Sequence, residues 1–302
     1  MISRMYGYVR ARQLEGSFSP DPSIGNWVVS AMRILRGWGT PDESEWPYDG
    51  DADHWPPNEP DGIDELAKNN RILAYQRVRS VNECKIILAS ETPLVLALEI
   101  TEQWDTAPQG EIVMSAESIT GSHAITLFGY DDSRQSFLFA NSWGTEWGNE
   151  GYGVLPYEYF DAYQLEAWMI TERFWIRPSQ PPPAVSFLQW GIVDILGTIL
   201  HCAEVFDGVS DECIGWAFIV EREGFAEVEE LFVRPMYRGK GYASLLSSMI
   251  NDISQSRNLP VRLWIPHADV SQLNKPSFNR VIEQLGLSLK PSGRRWAAMK
   301  AE

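Results

Sequence analysis

Apolar positions follow a helical period early in the chain and a strand period later. Residues 3–15 read as a helix stopped by Gly16, and Asp21-Pro22-Ser23 offers a turn and cap before a second helix from about Gly25 to Leu35. Gly37 and Gly39 end that helix, and Trp46-Pro47-Tyr48 opens a Pro- and Asp-rich loop reaching Gly62. A helix through Asn82–Leu88 precedes the apolar run Leu94–Ile100, which reads as a strand. Residues 101–120 read as a surface excursion. Two short apolar strands follow, one entered by His123 and one, Phe137–Ala140, left by Asn141, with a turn at Gly129–Asp132 between them. Ala167–Ile170 reads as the last strand of this half.

Arg177-Pro178-Ser179-Gln180-Pro181-Pro182-Pro183 interrupts the pattern, and successive prolines favour a stiff, extended spacer. Beyond it, strands are predicted at Ile199–Phe206, Gly215–Arg222 and Ala226–Val233, with an amphipathic helix over about 240–256. A strand at Val261–Ile265, a helix near Leu273–Leu285 and a final strand at Arg295–Lys300 complete the chain. The fold class expected is α+β in two domains, 1–176 and 186–302, joined by a linker at 177–185.

Composition narrows the partners. The net charge is −16, most of it before residue 178, which argues against binding phosphate backbones or anionic membranes. No run of 18 apolar residues exists, and the start lacks a secretory signal, so a cytoplasmic protein is expected. Three scattered cysteines, Cys84, Cys202 and Cys213, show no metal-like spacing and fit a reducing compartment.

A histidine and an asparagine at neighbouring strand ends can hold an imidazole in one tautomer for proton transfer. With Gly129-Tyr130-Asp131, Asn141-Ser142-Trp143-Gly144 and Gly151-Tyr152-Gly153 in series, this stretch resembles the papain-like cysteine peptidases. The resemblance implies His123 as general base, Asn141 as its orienter and Trp143 as an apolar shield over their hydrogen bond. It also implies a helical part, a β-barrel-like part and a cysteine nucleophile upstream of the elements found here. Cys84 sits in a predicted helix and reads as core, since a thiol ionises only where it is accessible and beside positive charge. Ser17 and Ser19 start no helix, and Asn26, the residue that would align with the nucleophile, is an amide. Three explanations stand: a peptide-binding pseudoenzyme, a chain whose catalytic segment precedes Met1, or a segment supplied by another polypeptide. The second is favoured, because the missing helix is central to that fold. Apolar faces near Met5, Tyr8, Val28 and Met32 are then expected to lie exposed, or under a partner or second copy.

In the second half, Arg238-Gly239-Lys240-Gly241-Tyr242-Ala243 stands between a strand and a helix, where backbone N–H groups and a helix dipole form an anion cradle. This turn, with Glu230-Leu231-Phe232-Val233 before it, resembles the pyrophosphate loop and fourth strand of the GCN5-related N-acetyltransferases. The resemblance implies acetyl-CoA, its pyrophosphate on the N–H groups of Arg238, Gly239, Lys240, Gly241, Tyr242 and Ala243. Its pantetheine would run along Leu231, Phe232 and Val233, with Asn274 as a further contact. Transfer to a peptide or small-molecule amine needs a proton acceptor. Glu230 is the candidate base, with Glu229 and His267 as alternatives. Two departures concern the acceptor: Ile282 stands where many members carry a tyrosine, and helices that usually cover the acceptor are short or missing. The expected function is an N-acetyltransferase fused to a papain-type domain. A peptidase with an accessory transferase domain, and a non-catalytic binding protein, remain as alternatives.

Overall fold

The computed structural model describes residues 1–19, 21, 24–50, 54–115, 118–171, 185–193, 197–207, 212–265, 269, 275–292 and 295–300. Of the expected linker at 177–185, residues 177–184 lie outside the described residues and Val185 opens a strand; His267 and Asn274 also lie outside them. The chain divides into two compact units, one formed by Met1–Arg71 with Phe174–Glu302 and the other by Ile72–Arg173. This grouping differs from the expected 1–176 and 186–302: the first predicted helices pack with the C-terminal sheet.

Helix α1 (Arg4–Glu15) starts at Ser3, whose side chain accepts from the Tyr6 N–H, and stops at Gly16 in the left-handed conformation. Its inner face buries Met5, Tyr6, Val9 and Ala11 against Ile34, Trp46, Ile63 and Ala67. Arg12 is fully buried beneath it, and its guanidinium donates to the Asp21 and Ser17 carbonyls and to the Tyr8 hydroxyl. Those acceptors replace the water the charge has lost. Helix α2 (Val28–Gly37) and the short α3 (Ile63–Ala67) complete the N-terminal segment.

Met5, Val28 and Met32, expected to lie open or under a partner, are buried inside this unit at 1%, 8% and 2% exposure. The reason is α2, which packs on the second sheet. A Cβ added at its Gly37 would come within 3.1 Å of the Trp216 ring, Trp38 meets Phe232 edge-on, and Arg36 lies over Trp216 while pairing with Glu204.

The unit Ile72–Arg173 holds β1 (Ala74–Arg77), α4 (Val81–Ala89), β2 (Leu94–Thr101), β3 (Ile119–Asp131), β4 (Ser136–Ala140), β5 (Tyr152–Pro156), α5 (Tyr157–Tyr163) and β6 (Gln164–Thr171). Its strands form one antiparallel sheet in the order β1-β6-β2-β3-β4-β5, open rather than a closed barrel. Helices α4 and α5 pack on it, burying Ile87, Leu88, Tyr159 and Phe160. The expected surface excursion is not wholly surface: Trp104, within it, is fully buried.

The C-terminal part begins with β7 (Val185–Val193), β8 (Ile199–Asp207), β9 (Cys213–Arg222) and β10 (Phe225–Val233). It continues with α6 (Tyr242–Arg257), β11 (Val261–Trp264), α7 (Pro276–Gln284), β12 (Leu287–Ser292) and β13 (Arg295–Lys300). The seven strands run β12-β13-β11-β10-β9-β8-β7, all antiparallel except the β10–β11 pair. Helix α6 packs through Leu246, Met249, Ile250 and Ile253 on a core that includes Ala203, Ala217, Ile219 and Val228. Strands β10 and β11 pair only from Ala226 to Val228, and a bulge lies between Val228 and Glu230. A parallel pair that parts this early leaves a cleft at its C-terminal end, with a helix mouth beside it.

Candidate functional sites

In the sheet of Ile72–Arg173, pairing register brings the first set together. His123 on β3 faces Leu98 of β2, while Thr126 faces Ala140 at the end of β4, so Asn141 emerges beside the imidazole. His123 Nε2 lies 2.7 Å from Asn141 Oδ1. That oxygen also accepts from the Ser142 N–H at 2.8 Å, which fixes the amide orientation. Nε2 is therefore the protonated ring nitrogen, and Nδ1 carries the lone pair available to a reacting proton. Trp143 lies against the imidazole at 4.6 Å between ring centroids, and Asn141 Nδ2 is buried with no partner among the described residues. Behind them the Trp147 indole donates to the Trp104 carbonyl, and the Trp104 indole donates to the Tyr159 hydroxyl. Sequence reading missed Trp104, which supports His123 edge-on; its only signal was a tryptophan in an otherwise polar loop.

Burial pushes the His123 pKa below 6.5, and the Asn141 contact offsets part of that shift. With the folded value depressed, the unfolded chain takes up the proton first. The ring's contribution to stability is present above 6.5 and is lost as pH falls through the depressed value. In an NMR titration, Asn141→Ala should lower the midpoint further and Asn141→Asp should raise it, since a carboxylate favours the imidazolium. An unmoved midpoint in the aspartate variant would show that the two side chains are not coupled.

No cysteine is poised as a nucleophile. Cys84, Cys202 and Cys213 are buried and unpaired, and burial pushes the Cys84 and Cys202 thiols well above their ordinary range.

The second site is a cavity of about 450 Å³ in the other unit. Leu231, Phe232, Val233, Arg238, Gly239, Gly241, Tyr242 and Ala243, all expected at a cofactor, line it; Lys240 does not. Gly239 and Gly241 have φ of +77° and +89°, and a Cβ built on either meets no protein atom within 4 Å. Glycine is thus required by conformation, and the space beside the backbone is open to a ligand. Gly241 is the N-cap of α6, whose first-turn N–H groups have no intrahelical acceptor. Arg238 donates through Nε to the Val233 carbonyl at 2.9 Å, tying the loop to the end of β10. A diphosphate fits this loop, because backbone donors, a helix dipole and a guanidinium converge there.

Glu230, expected as a base, is placed otherwise. Arg33 of α2 reaches it with Nε and a terminal nitrogen, both at 2.9 Å, and the Leu231 N–H also binds Oε1. The same guanidinium bonds Asp269 at 3.1 and 2.6 Å. With both oxygens engaged by a buried guanidinium, this carboxylate is a structural ion-pair partner, which corrects the base assignment. Glu229 is likewise taken by Arg222, at 2.7 Å. Sequence reading also missed Leu14, Glu15, Ser30, Arg33, Asp269 and Arg280 in the cavity wall. The available signal was an arginine among the apolar residues of α2 and a run of acids on β10, residues far apart in sequence.

A profile described as papain family cysteine protease matches residues 21–169, and one described as acetyltransferase (GNAT) family matches residues 162–286. An uncharacterized peptidase C1-like protein of Acanthamoeba polyphaga mimivirus is 29% identical over 188 residues, 57% of this chain and 59% of that one. Zingipain-2 of Zingiber officinale is 26% identical over 135 residues, 42% of this chain and 57% of its own length. The chain thus spans little more than half of these relatives. Xylellain, a cysteine protease from Xylella fastidiosa, superposes with a TM-score of 0.52 at 29% identity, covering 57% of this chain and 70% of its own. The α+β chain carries a papain family cysteine protease domain followed by an acetyltransferase domain of the GNAT family.

Proposed function

We propose that the chain is an acetyl-CoA-dependent N-acetyltransferase acting on an amine, fused to a papain-type domain that either binds peptides or takes its nucleophile from a segment outside this sequence. The observation that carries the first part is the cavity of about 450 Å³, with the Gly239–Gly241 loop and α6 N-terminus along one side and Leu231–Val233 along another. Acetyl-CoA, when bound, supplies an acetyl thioester. Arg238 and the amides from Gly239 to Ala243 would hold its diphosphate, while the β10 edge would orient the arm and the cavity would limit water. The acceptor arrives as an ammonium and releases one proton. Its nitrogen bonds the acyl carbon as the carbon–sulfur bond breaks, and a second nitrogen proton ends on the departing sulfur. Calorimetry with acetyl-CoA should show binding with a Kd on the order of micromolar, and mass spectrometry should show an acetylated amine. Absence of binding ends the reading.

The His123–Asn141 pair at 2.7 Å favours a second reading, a cysteine peptidase with an accessory transferase domain. Against it, every cysteine of the chain is buried. A thiol-reactive peptide probe should leave the protein unlabelled, and labelling lost in His123→Ala would favour the peptidase. No helix among the described residues is long and apolar enough to cross a membrane, and three buried free thiols suit a reducing compartment.

A further inference from the structure

The cavity has a wall that the acetyltransferase match at 162–286 does not contain. Leu14 and Glu15 from α1, with Ser30 and Arg33 from α2, line it. Nothing between β7, ending at Val193, and β8, starting at Ile199, is long enough to supply helices there. The chain's first two helices stand in that position, fastened by Arg33 to Glu230 and Asp269 and by Arg36 to Glu204.

Two polar groups on this wall lack the partners their setting calls for. Ser30 is 1% exposed, and its hydroxyl has no hydrogen-bond partner among the described residues. Such a group carries an uncompensated desolvation cost unless something in the cavity satisfies it. Glu15 is half-buried; its Oε1 accepts from the Trp27 N–H at 2.9 Å, and no described cation pairs with it. The other carboxylate of the cavity, Asp269, is already on Arg33. Of the charged groups lining the cavity, Arg33 is paired with Asp269, Arg238 stands at the loop beside the α6 N-terminus, Arg280 comes from α7, and Glu15 stands on the α1 wall with no described cation on it.

We propose that α1 and α2 form the acceptor side of the transferase cavity, and that the acceptor is a cationic amine whose ammonium is held by Glu15 and Ser30. This rests on the transferase reading. An ammonium donates to Ser30 Oγ and to the Glu15 carboxylate, satisfying the hydroxyl and neutralising the charge, whereas an amine carrying its own carboxylate meets repulsion. The chain's N-terminal segment, and not the acetyltransferase domain alone, then sets which amine is used.

The test is steady-state acetylation of cadaverine and of glutamate by the full chain, with acetyl-CoA affinity measured in parallel. Cadaverine should be the better acceptor. Glu15→Gln keeps the acceptor for the Trp27 N–H and removes only the charge; it should raise KM for cadaverine about tenfold or more while acetyl-CoA affinity stays unchanged. Ser30→Ala should raise it several-fold in the same selective way. Unchanged cadaverine KM in both variants, a preference for glutamate, or acetyl-CoA binding without transfer to cadaverine would overturn this inference alone. Failure to bind acetyl-CoA would overturn the transferase reading and this with it.

Discussion

Replacing Arg33 with methionine should destabilise the unit formed by residues 1–71 and the C-terminal sheet by about 3–5 kcal/mol, the cost of leaving a buried ion-pair partner uncompensated. Glu230 is the partner in question: it is 2% exposed and bound at both oxygens by Arg33. Asp269, at 27% exposure, can turn to solvent and contributes less. Hydrogen exchange is the suitable measurement, since one melting temperature is ill-defined for a chain of two compact units. Protection in α1 and α2 should fall, while protection in β2 and β3 should hold. A second change, Glu230→Met beside Arg33→Met, should recover most of the loss, because apolar replacement of a whole buried pair is close to neutral. Wild-type protection in the single variant would show that the ion pair does not fasten the N-terminal helices.

Gly241→Glu should lower acetyl-CoA affinity by at least about a hundredfold, or roughly 2.7 kcal/mol. Two effects add at this residue. Its φ of +89° is strained for any side chain, at about 1–3 kcal/mol, so the loop that presents the amides would shift. The new carboxylate would also stand at the α6 N-terminus, where the cradle would otherwise receive phosphate, and like charge repels there. Gly241→Ala separates the two: it keeps the strain and lacks the charge, so its loss should be the smaller. Calorimetry on both, with circular dichroism to verify the fold, provides the measurement. Affinity equal to the wild type in the glutamate variant would mean that the loop takes no diphosphate.

Much of the local order was legible from period and punctuation. Ser3 and Gly16 bracket α1 as a cap and a stop must, and the apolar runs at Leu94–Ile100 and Gly215–Arg222 read as strands where strands stand. The His123–Asn141 meeting was legible too, since the turn at Gly129–Asp132 leaves few ways to pair the strands it joins, and register brings the side chains to 2.7 Å. Strand β3 nonetheless runs 13 residues from Ile119 and is not entered at His123. The Gly239–Gly241 loop was readable because backbone chemistry at a helix mouth depends on adjacent residues. The short strand β1, the β7 strand and β12 were missed, as brief or interrupted apolar runs carry little periodicity.

The chain's order alone determined its α+β class, its two domain types, the His123–Asn141 pair and the glycine loop, because each is written in residues close in sequence or repeated at a fixed period. Tertiary structure alone decided what the first 71 residues pack against, what Glu230 does and which residues wall the cavity. Those outcomes depend on where a buried carboxylate finds its compensating cation. Arg33 and Glu230 are 197 positions apart in sequence, a separation at which no local pattern carries information.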